Sequence, residues 1–404
     1  MALTYTLIGT PFSAATVKAR LFLRWANLPM TENPATLNVV QTYIKPRLKS
    51  VATPVIVCSD QHAYTDTRLL LDSLRRDHAA RTVHPDTPAQ RFASDLLEAW
   101  SDSRFSRQAD YLFWVCEREQ AEARLTRFLQ TDTPADLAAR QARLVVAQLN
   151  QHFSKRGLDE QAADSVKAQL QASLERLDKA LGDSPFLFGE RPAMAEFSLA
   201  GALQVLSTTQ AGSDMLDKHP RLKTWRTRLS GIDGLAQGAH RKASSSPSAF
   251  MQLMRHVAQD FVPQALDSAT AVSDWAEANP GARALPDQIT LGGIRHHASR
   301  RKSVANAVWS PRDAYWLSRL GDLARPRNGI ENAEQYRLLK TIGLLPMREF
   351  TPPREIVAQN YRLELTLRDV KSDANHSSLH AVENALLAVR QSSSDIAELT
   401  AIHV

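Results

Sequence analysis

The feature that most constrains this chain is a short strand that runs straight into a helix within the first 26 residues. Residues 3–9 (LTYTLIG) have the apolar, β-rich character of a strand. Residues 13–26 then space Val17, Leu21, Phe22 and Trp25 along one helical face. A second strand fits residues 35–39. Residues 52–57 (ATPVIV) read as a buried strand with a proline near its entrance, and residues 62–64 as its partner across a hairpin turn at 58–61. A helix opens at Asp66 and reaches Leu74, with Arg68, Arg75 and Arg76 on its wet side. The order β-α-β-β-β-α within about 75 residues describes a small α/β unit rather than a bundle or a sandwich.

The pattern then changes. Residues 85–232 read as all-helical, with helices expected at 88–102, 134–150, 159–181, 195–206 and 219–229. Residues 238–250 are polar, serine-rich and interrupted by a proline, the signature of a linker. Beyond them the reading is a helix at 250–278 broken near Pro263, then strands at 289–294 and 303–309 pairing across the basic loop RHHASRRK. A helix start follows at Ser310-Pro311-Arg312-Asp313, with the serine as cap and the acid facing the positive helix end. A long strand at 356–370 and a helix at 378–400 complete the chain. A length of 404 residues fits two or three domains. The division expected is 1–80, 85–232 and 248–404: α/β, then all-α, then an α+β C-terminal extension of unknown role.

Composition matters here mainly for what it excludes. Two cysteines leave no room for a disulfide scaffold or a cysteine-based zinc cluster. No run approaches the ~18 apolar residues of a membrane span, and the opening MALTYTLIGT lacks the basic and apolar regions of a signal peptide. A cytoplasmic protein that does not engage membranes is expected. The formal charge is +6, and residues 290–330 alone hold eight Lys and Arg against two acids, so the excess is local. His296 and His297 are adjacent and point different ways on a strand or helix, which argues against a metal site. The run around them reads as a solvated loop, and nucleic acid is not an expected partner.

Three short stretches carry chemistry. Thr10-Pro11-Phe12-Ser13 lies between the first strand and the helix bearing Lys18 and Arg20. A serine there faces unpaired backbone N–H groups and the positive helix end, where a thiolate is favoured and can accept the serine's hydrogen bond. The same serine fits a plain helix cap. Thr53-Pro54 fits either a cis turn that pairs with a ligand's backbone or an ordinary strand-start proline. Asp66-Thr67 at the next helix start fits an amino-acid terminus, the acid holding an ammonium and the hydroxyl a carboxylate; it also fits a capping pair.

Taken together, LIGTPFSAATVKARLFL, TPVIV and TDTRLLLDSL resemble the thioredoxin-like N-terminal domain of the cytosolic glutathione transferases. The resemblance implies that Ser13 is the catalytic serine of a serine-type, bacterial member and acts on the glutathione thiol. It implies that Thr53 and Pro54 pair with the glutathione cysteine backbone, and that Asp66 and Thr67 hold the γ-glutamyl end. Lys45, with Lys49, is the candidate for the glycine end. Neither Cys58 nor Cys116 takes the nucleophile position, and both read as structural.

Residues 186–203 (FLFGERPAMAEFSLAGAL) resemble the signature that precedes the family's buried core helix. Ala193-Met194-Ala195-Glu196 stands where Ser/Thr-x-x-Asp is usual, which predicts a cap weaker by ~1 kcal/mol. HPRLKTWRTRL matches the helix that follows. The resemblance spans residues 1 to about 232 and implies a helical glutathione-transferase C-terminal domain. It also implies glutathione as co-substrate, no metal, a homodimer, and a pocket for a small electrophilic or hydrophobic substrate. Phe12, Arg104, Phe105, Tyr111 and Trp114 are the candidates to line that pocket, although Tyr111 and Trp114 equally suit a core.

The reaction expected is attack of the bound thiolate on the electrophile, leading to conjugation, dehalogenation, ether cleavage or isomerisation. The alternative is a non-catalytic docking module of the same fold, whose extension binds a protein or nucleic-acid partner.

Overall fold

The computed structural model describes residues 3–48, 53–60, 62–65, 67, 68, 70, 83–231, 238–241, 246–291, 307–326, 329–352, 354–359, 362–366, 381, 382, 384–386 and 388. The chain divides into two compact units. One comprises Met1–Val83, Arg104–Ala239 and Asn360–Arg362; the other comprises His84–Ser103, His240–Gln359 and Leu363–Val404.

The first unit opens with a four-stranded mixed sheet in the order β2-β1-β3-β4, built from β1 (Tyr5–Gly9), β2 (Met30–Pro34), β3 (Val55–Cys58) and β4 (Ala63–Tyr64). Helix α1 (Ala14–Trp25) joins β1 to its parallel neighbour β2, and β3 runs antiparallel to β1 with Ile8 opposite Val55. This is the thioredoxin-like arrangement. The second strand lies earlier than residues 35–39. Met30–Pro34 takes the ladder positions along β1, while the Thr36 hydroxyl accepts from the Val39 amide and starts helical turns that continue to Leu48. The expected helix from Asp66 lies largely outside the described residues.

Helices fill the rest of this unit: α3 (Ser106–Tyr111), α4 (Arg118–Leu129), α5 (Ala135–Ser154), α6 (Ala163–Leu181), α7 (Met194–Leu206), α8 (Gln210–Leu216) and α9 (Pro220–Ser230). A wide π-helical turn, Leu112–Cys116, follows α3. At the centre is α7, with 12 of its 13 residues buried. Its start is held by Glu196. One carboxylate oxygen accepts from the Ala193 amide at 2.7 Å; the other accepts from Leu187 at 2.6 Å and from the Trp225 indole at 3.3 Å. The absent capping hydroxyl is therefore offset by a carboxylate that ties three segments together.

In the second unit, α2 (Pro88–Trp100) packs against α10 (Ser248–Ala278), α11 (Pro311–Ala324) and α12 (Ala333–Ile342). A two-stranded sheet pairs β5 (Ile289–Leu291) with β6 (Ala307–Trp309) as expected; the basic loop between them lies outside the described residues. Three expectations are corrected here. Helix α10 runs unbroken past Pro263, because Phe261, Val262, Ala265 and Leu266 are all buried around it and outweigh one lost hydrogen bond. The single strand at 356–370 is instead a hairpin of β7 (Glu355–Gln359) and β8 (Arg362–Thr366). At the start of α11 the Ser310 side chain makes no cap; Asp313 stands in the first turn as expected, and its carboxylate also accepts from Ser103 at 2.5 Å and from Gln264 at 2.8 Å.

The local positive charge is also partly spoken for. Arg319 pairs with the buried Asp95 carboxylate at 2.9 Å, and Arg325 with Asp322 at 2.5 Å.

Candidate functional site

The sheet fixes the first part of the site. β1 ends at Gly9, and a tight turn delivers Ser13 to the start of α1. Gly9 is required there, because a Cβ would come within 2.5 Å of the Thr16 side chain. Ser13 has extended backbone (φ −104°, ψ 118°) and its hydroxyl oxygen accepts from the Thr16 amide at 3.2 Å. A hydroxyl has two acceptor positions and one donor. The cap uses an acceptor, so the hydroxyl proton remains available, and no acidic residue stands in the first turn to repel an anion. Capping and thiolate binding are thus compatible uses of one side chain.

Because Ile8 faces Val55 across the β1–β3 ladder, Thr53 and Pro54 lie at the end of β3 nearest the turn that carries Ser13. The Thr53–Pro54 peptide bond is cis; Pro54 is buried and Thr53 half-buried. Thr67 is buried in a helical segment after β4, and Asp66 lies outside the described residues. Lys45 is exposed at the start of the short helix Lys45–Leu48, and Lys49 lies outside the described residues. Neither Lys18 nor Arg20 is an open cation: Lys18 is buried, and Arg20 grips both carboxylate oxygens of Glu32 at 2.8 Å.

The second part is aromatic. The Phe12 ring stacks on Phe113, with centroids 5.6 Å apart and planes at 21°. It meets Trp114 edge-on at 6.4 Å and Phe128 at 5.9 Å. The cluster rests on Leu125, Leu129, Ala138, Ala142 and Val146, while Phe12, Trp114 and Phe128 stay half-buried. Of the expected lining residues, the structure joins Phe12 to Trp114 and leaves Arg104 half-buried one segment earlier. Phe105 and Tyr111 belong to the core instead. Both are fully buried, and the Tyr111 hydroxyl donates to the Asp159 carbonyl at 2.6 Å. Phe113 and Phe128 were not singled out by the sequence, since on a helix they are indistinguishable from any core aromatic.

The cysteines stand apart from this chemistry. Cys58 is buried in β3; burial, with a further push from the Asp60 carboxylate, raises its thiol to about 12. Cys116 is exposed rather than buried, and partial desolvation holds its thiol above the ordinary range. Among the described residues no group of His, Cys, Asp and Glu is arranged to hold a metal, and no helix is long and apolar enough to cross a membrane.

Comparison with known proteins gives a family for part of the chain. Residues 160–228 match the family model "Glutathione S-transferase, C-terminal domain", a stretch that runs from the turn before α6 into α9. Among solved structures, FzlA from C. crescentus aligns at 21% identity over 56% of this chain and 88% of its own, with a TM-score of 0.39. A glutathione S-transferase from Rhodospirillum rubrum aligns at 16% identity over 62% and 91%, with a TM-score of 0.40. One from Methylobacterium radiotolerans, solved in complex with glutathione sulfonate, aligns at 18% identity over 59% and 99%, with a TM-score of 0.38. Among curated proteins, none matches the chain.

Proposed function

We propose, from the premise that residues 160–228 carry a glutathione S-transferase C-terminal domain, that this chain is a glutathione-dependent transferase of the serine type. Ser13 donates its hydroxyl hydrogen bond to the glutathione thiolate at the positive end of α1, and its oxygen meanwhile caps the helix. Thr53 and Pro54 meet the glutathione cysteine backbone, Asp66 and Thr67 hold the γ-glutamyl end, and Lys45 serves the glycine end. The half-buried rings of Phe12 and Trp114 receive the apolar part of a small electrophile, which the thiolate attacks. Glutathione is a co-substrate and no metal is required.

The observation that carries this reading is the Ser13 hydroxyl. It has an unused proton at a helix N-terminus, and the residue before it forms part of an aromatic face. Ser13→Ala tests it. Glutathione affinity is expected to stay within about threefold, while the apparent thiol pKa read from the pH–rate profile rises by a unit or more toward its free value of about 8.5. Turnover at pH 7 falls about ten- to a hundredfold, the worth of a hydrogen bond to a charged group. A pH–rate profile identical to that of the unmodified protein overturns the assignment. Failure of the protein to be retained on immobilised glutathione overturns the wider reading in favour of a docking module.

A further inference from the structure

The second unit holds a cleft that has no part in the scheme above. Helices α2, α10 and α12 pack against one another there, and a cleft of about 150 Å³ opens between them. Its apolar lining is Ala89 and Ala93 of α2, Phe250 and Met251 of α10, and Leu338 of α12. Two alanines on one wall leave room that longer side chains would take. An apolar cavity of this size holds one benzene-sized ring.

Gln90, Glu334 and Arg337 also line the cleft. Gln90 is 6% exposed, and its Oε1 accepts from the Thr87 hydroxyl at 3.2 Å. Its Nε2 donor has no hydrogen-bond partner among the described residues, an unmet demand for a buried amide. Glu334 is half-buried and Arg337 exposed, one turn apart on α12. Among the described residues they form no ion pair with each other or with any third group, and the Glu334 carboxylate accepts no hydrogen bond. The Arg337 Nε donates to the Ala333 carbonyl at 3.3 Å, which leaves its two terminal nitrogens for a ligand.

A carboxylate, a guanidinium and a spare amide donor around an apolar recess match the parts of one ligand class. We propose that this cleft binds a free α-amino acid whose apolar side chain is about the size of a phenyl ring. Glu334 accepts from the ammonium, Arg337 and Gln90 donate to the carboxylate, and the apolar lining takes the side chain. A plain carboxylic acid would leave Glu334 beside a like charge, and a plain amine would do the same to Arg337. Every described residue that lines the cleft belongs to the second unit, so the inference does not rest on the Ser13 assignment.

The test is a calorimetric titration of the full chain at neutral pH, where both ends of an amino acid are ionised. The probes are L-phenylalanine, hydrocinnamate (no ammonium), phenethylamine (no carboxylate) and glycine (no side chain). Phenylalanine is expected to bind at least about tenfold more tightly than each of the other three. Glu334→Gln should lose at least about tenfold for phenylalanine and nothing for hydrocinnamate. Arg337→Gln should lose as much for phenylalanine and nothing for phenethylamine. Circular dichroism checks the fold of both variants, and the four-probe comparison on the unmodified protein decides the question even if a variant fails to fold. A parallel titration with saturating glutathione should give the same phenylalanine affinity. No binding of phenylalanine, equal affinities for the four probes, a preference that survives both substitutions, or displacement by glutathione would each overturn the proposal. None of these outcomes bears on whether Ser13 acts on the glutathione thiol.

Discussion

At the scale of the residue, the two thiols illustrate how environment separates groups of identical chemistry. Cys58 is buried in the sheet and raised to about 12, so below pH 11 it carries almost no thiolate, the form that reacts. Cys116 is exposed but also raised, so it is reachable yet sluggish. With a disulfide reagent at pH 8, the native protein is expected to release one equivalent, from Cys116, more slowly than free cysteine does. The second equivalent should appear only after denaturation, and two rapid equivalents in the native state would contradict this placement. The sequence reading took both cysteines as structural. It had no means of seeing that the π-helical turn Leu112–Cys116 leaves the last of its residues at the surface.

At the scale of the element, the crossing of α1 and α7 governs where Ser13 sits. Gly201 lies in the middle of α7, and a Cβ there would fall 2.2 Å from the carbonyl oxygen of Ala14, the residue immediately after Ser13. The obstacle is backbone, so it cannot be relieved by a side-chain rotation. Gly201→Ala must therefore push the two helices apart, at a cost of about 1–3 kcal/mol typical of overpacking. The same shift moves the Ser13 hydroxyl, so glutathione affinity should fall together with the urea midpoint, although residue 201 is proposed to touch no ligand. Unchanged stability and affinity would show that α1 is positioned by something else. Much at this scale was readable beforehand. The helices near 159–181 and 219–229 follow from a 3.6-residue apolar repeat, the one near 195–206 from its overall apolar character, and the strand carrying Val55–Cys58 from an unbroken apolar run. What escaped was decided by partners distant in sequence. Met30–Pro34 reads as polar and loop-like until it is laid beside β1, and the strand at 356–370 could not reveal that it folds back on itself.

At the scale of the whole molecule, the order of segments along the chain is not the order of compact units. A plan with the transferase-like part at 1–232 and an appended extension assigns Pro88–Trp100 to the first half. By contact it belongs with the residues after 240. No local pattern could have indicated this, because a buried helix carries the same apolar signal whichever neighbours bury it. Helix α2 has 11 of its 13 residues buried. Ala89 and Ala93 face a cavity shared with Phe250 and Leu338, and the fully buried Trp100 donates from its indole to Asp260 at 2.8 Å. Asp95 takes Arg319 as its partner, and Ser103 takes Asp313. A fragment ending at Ala239 would lose all of these partners. Uncovering Trp100 and the alanine side of the helix costs about 3–5 kcal/mol in apolar surface alone, a large share of the 5–15 kcal/mol by which a domain is normally stable. The fragment 1–239 is thus expected to be recovered mostly as aggregate, with any soluble part binding a hydrophobic dye and unfolding without a sharp transition. A soluble, monodisperse fragment with a cooperative melt close to that of the full chain would show that α2 is held without the extension. The expected result would show that Pro88–Trp100 needs residues after 240 to fold, so deleting those residues could not serve as a clean test of what they bind.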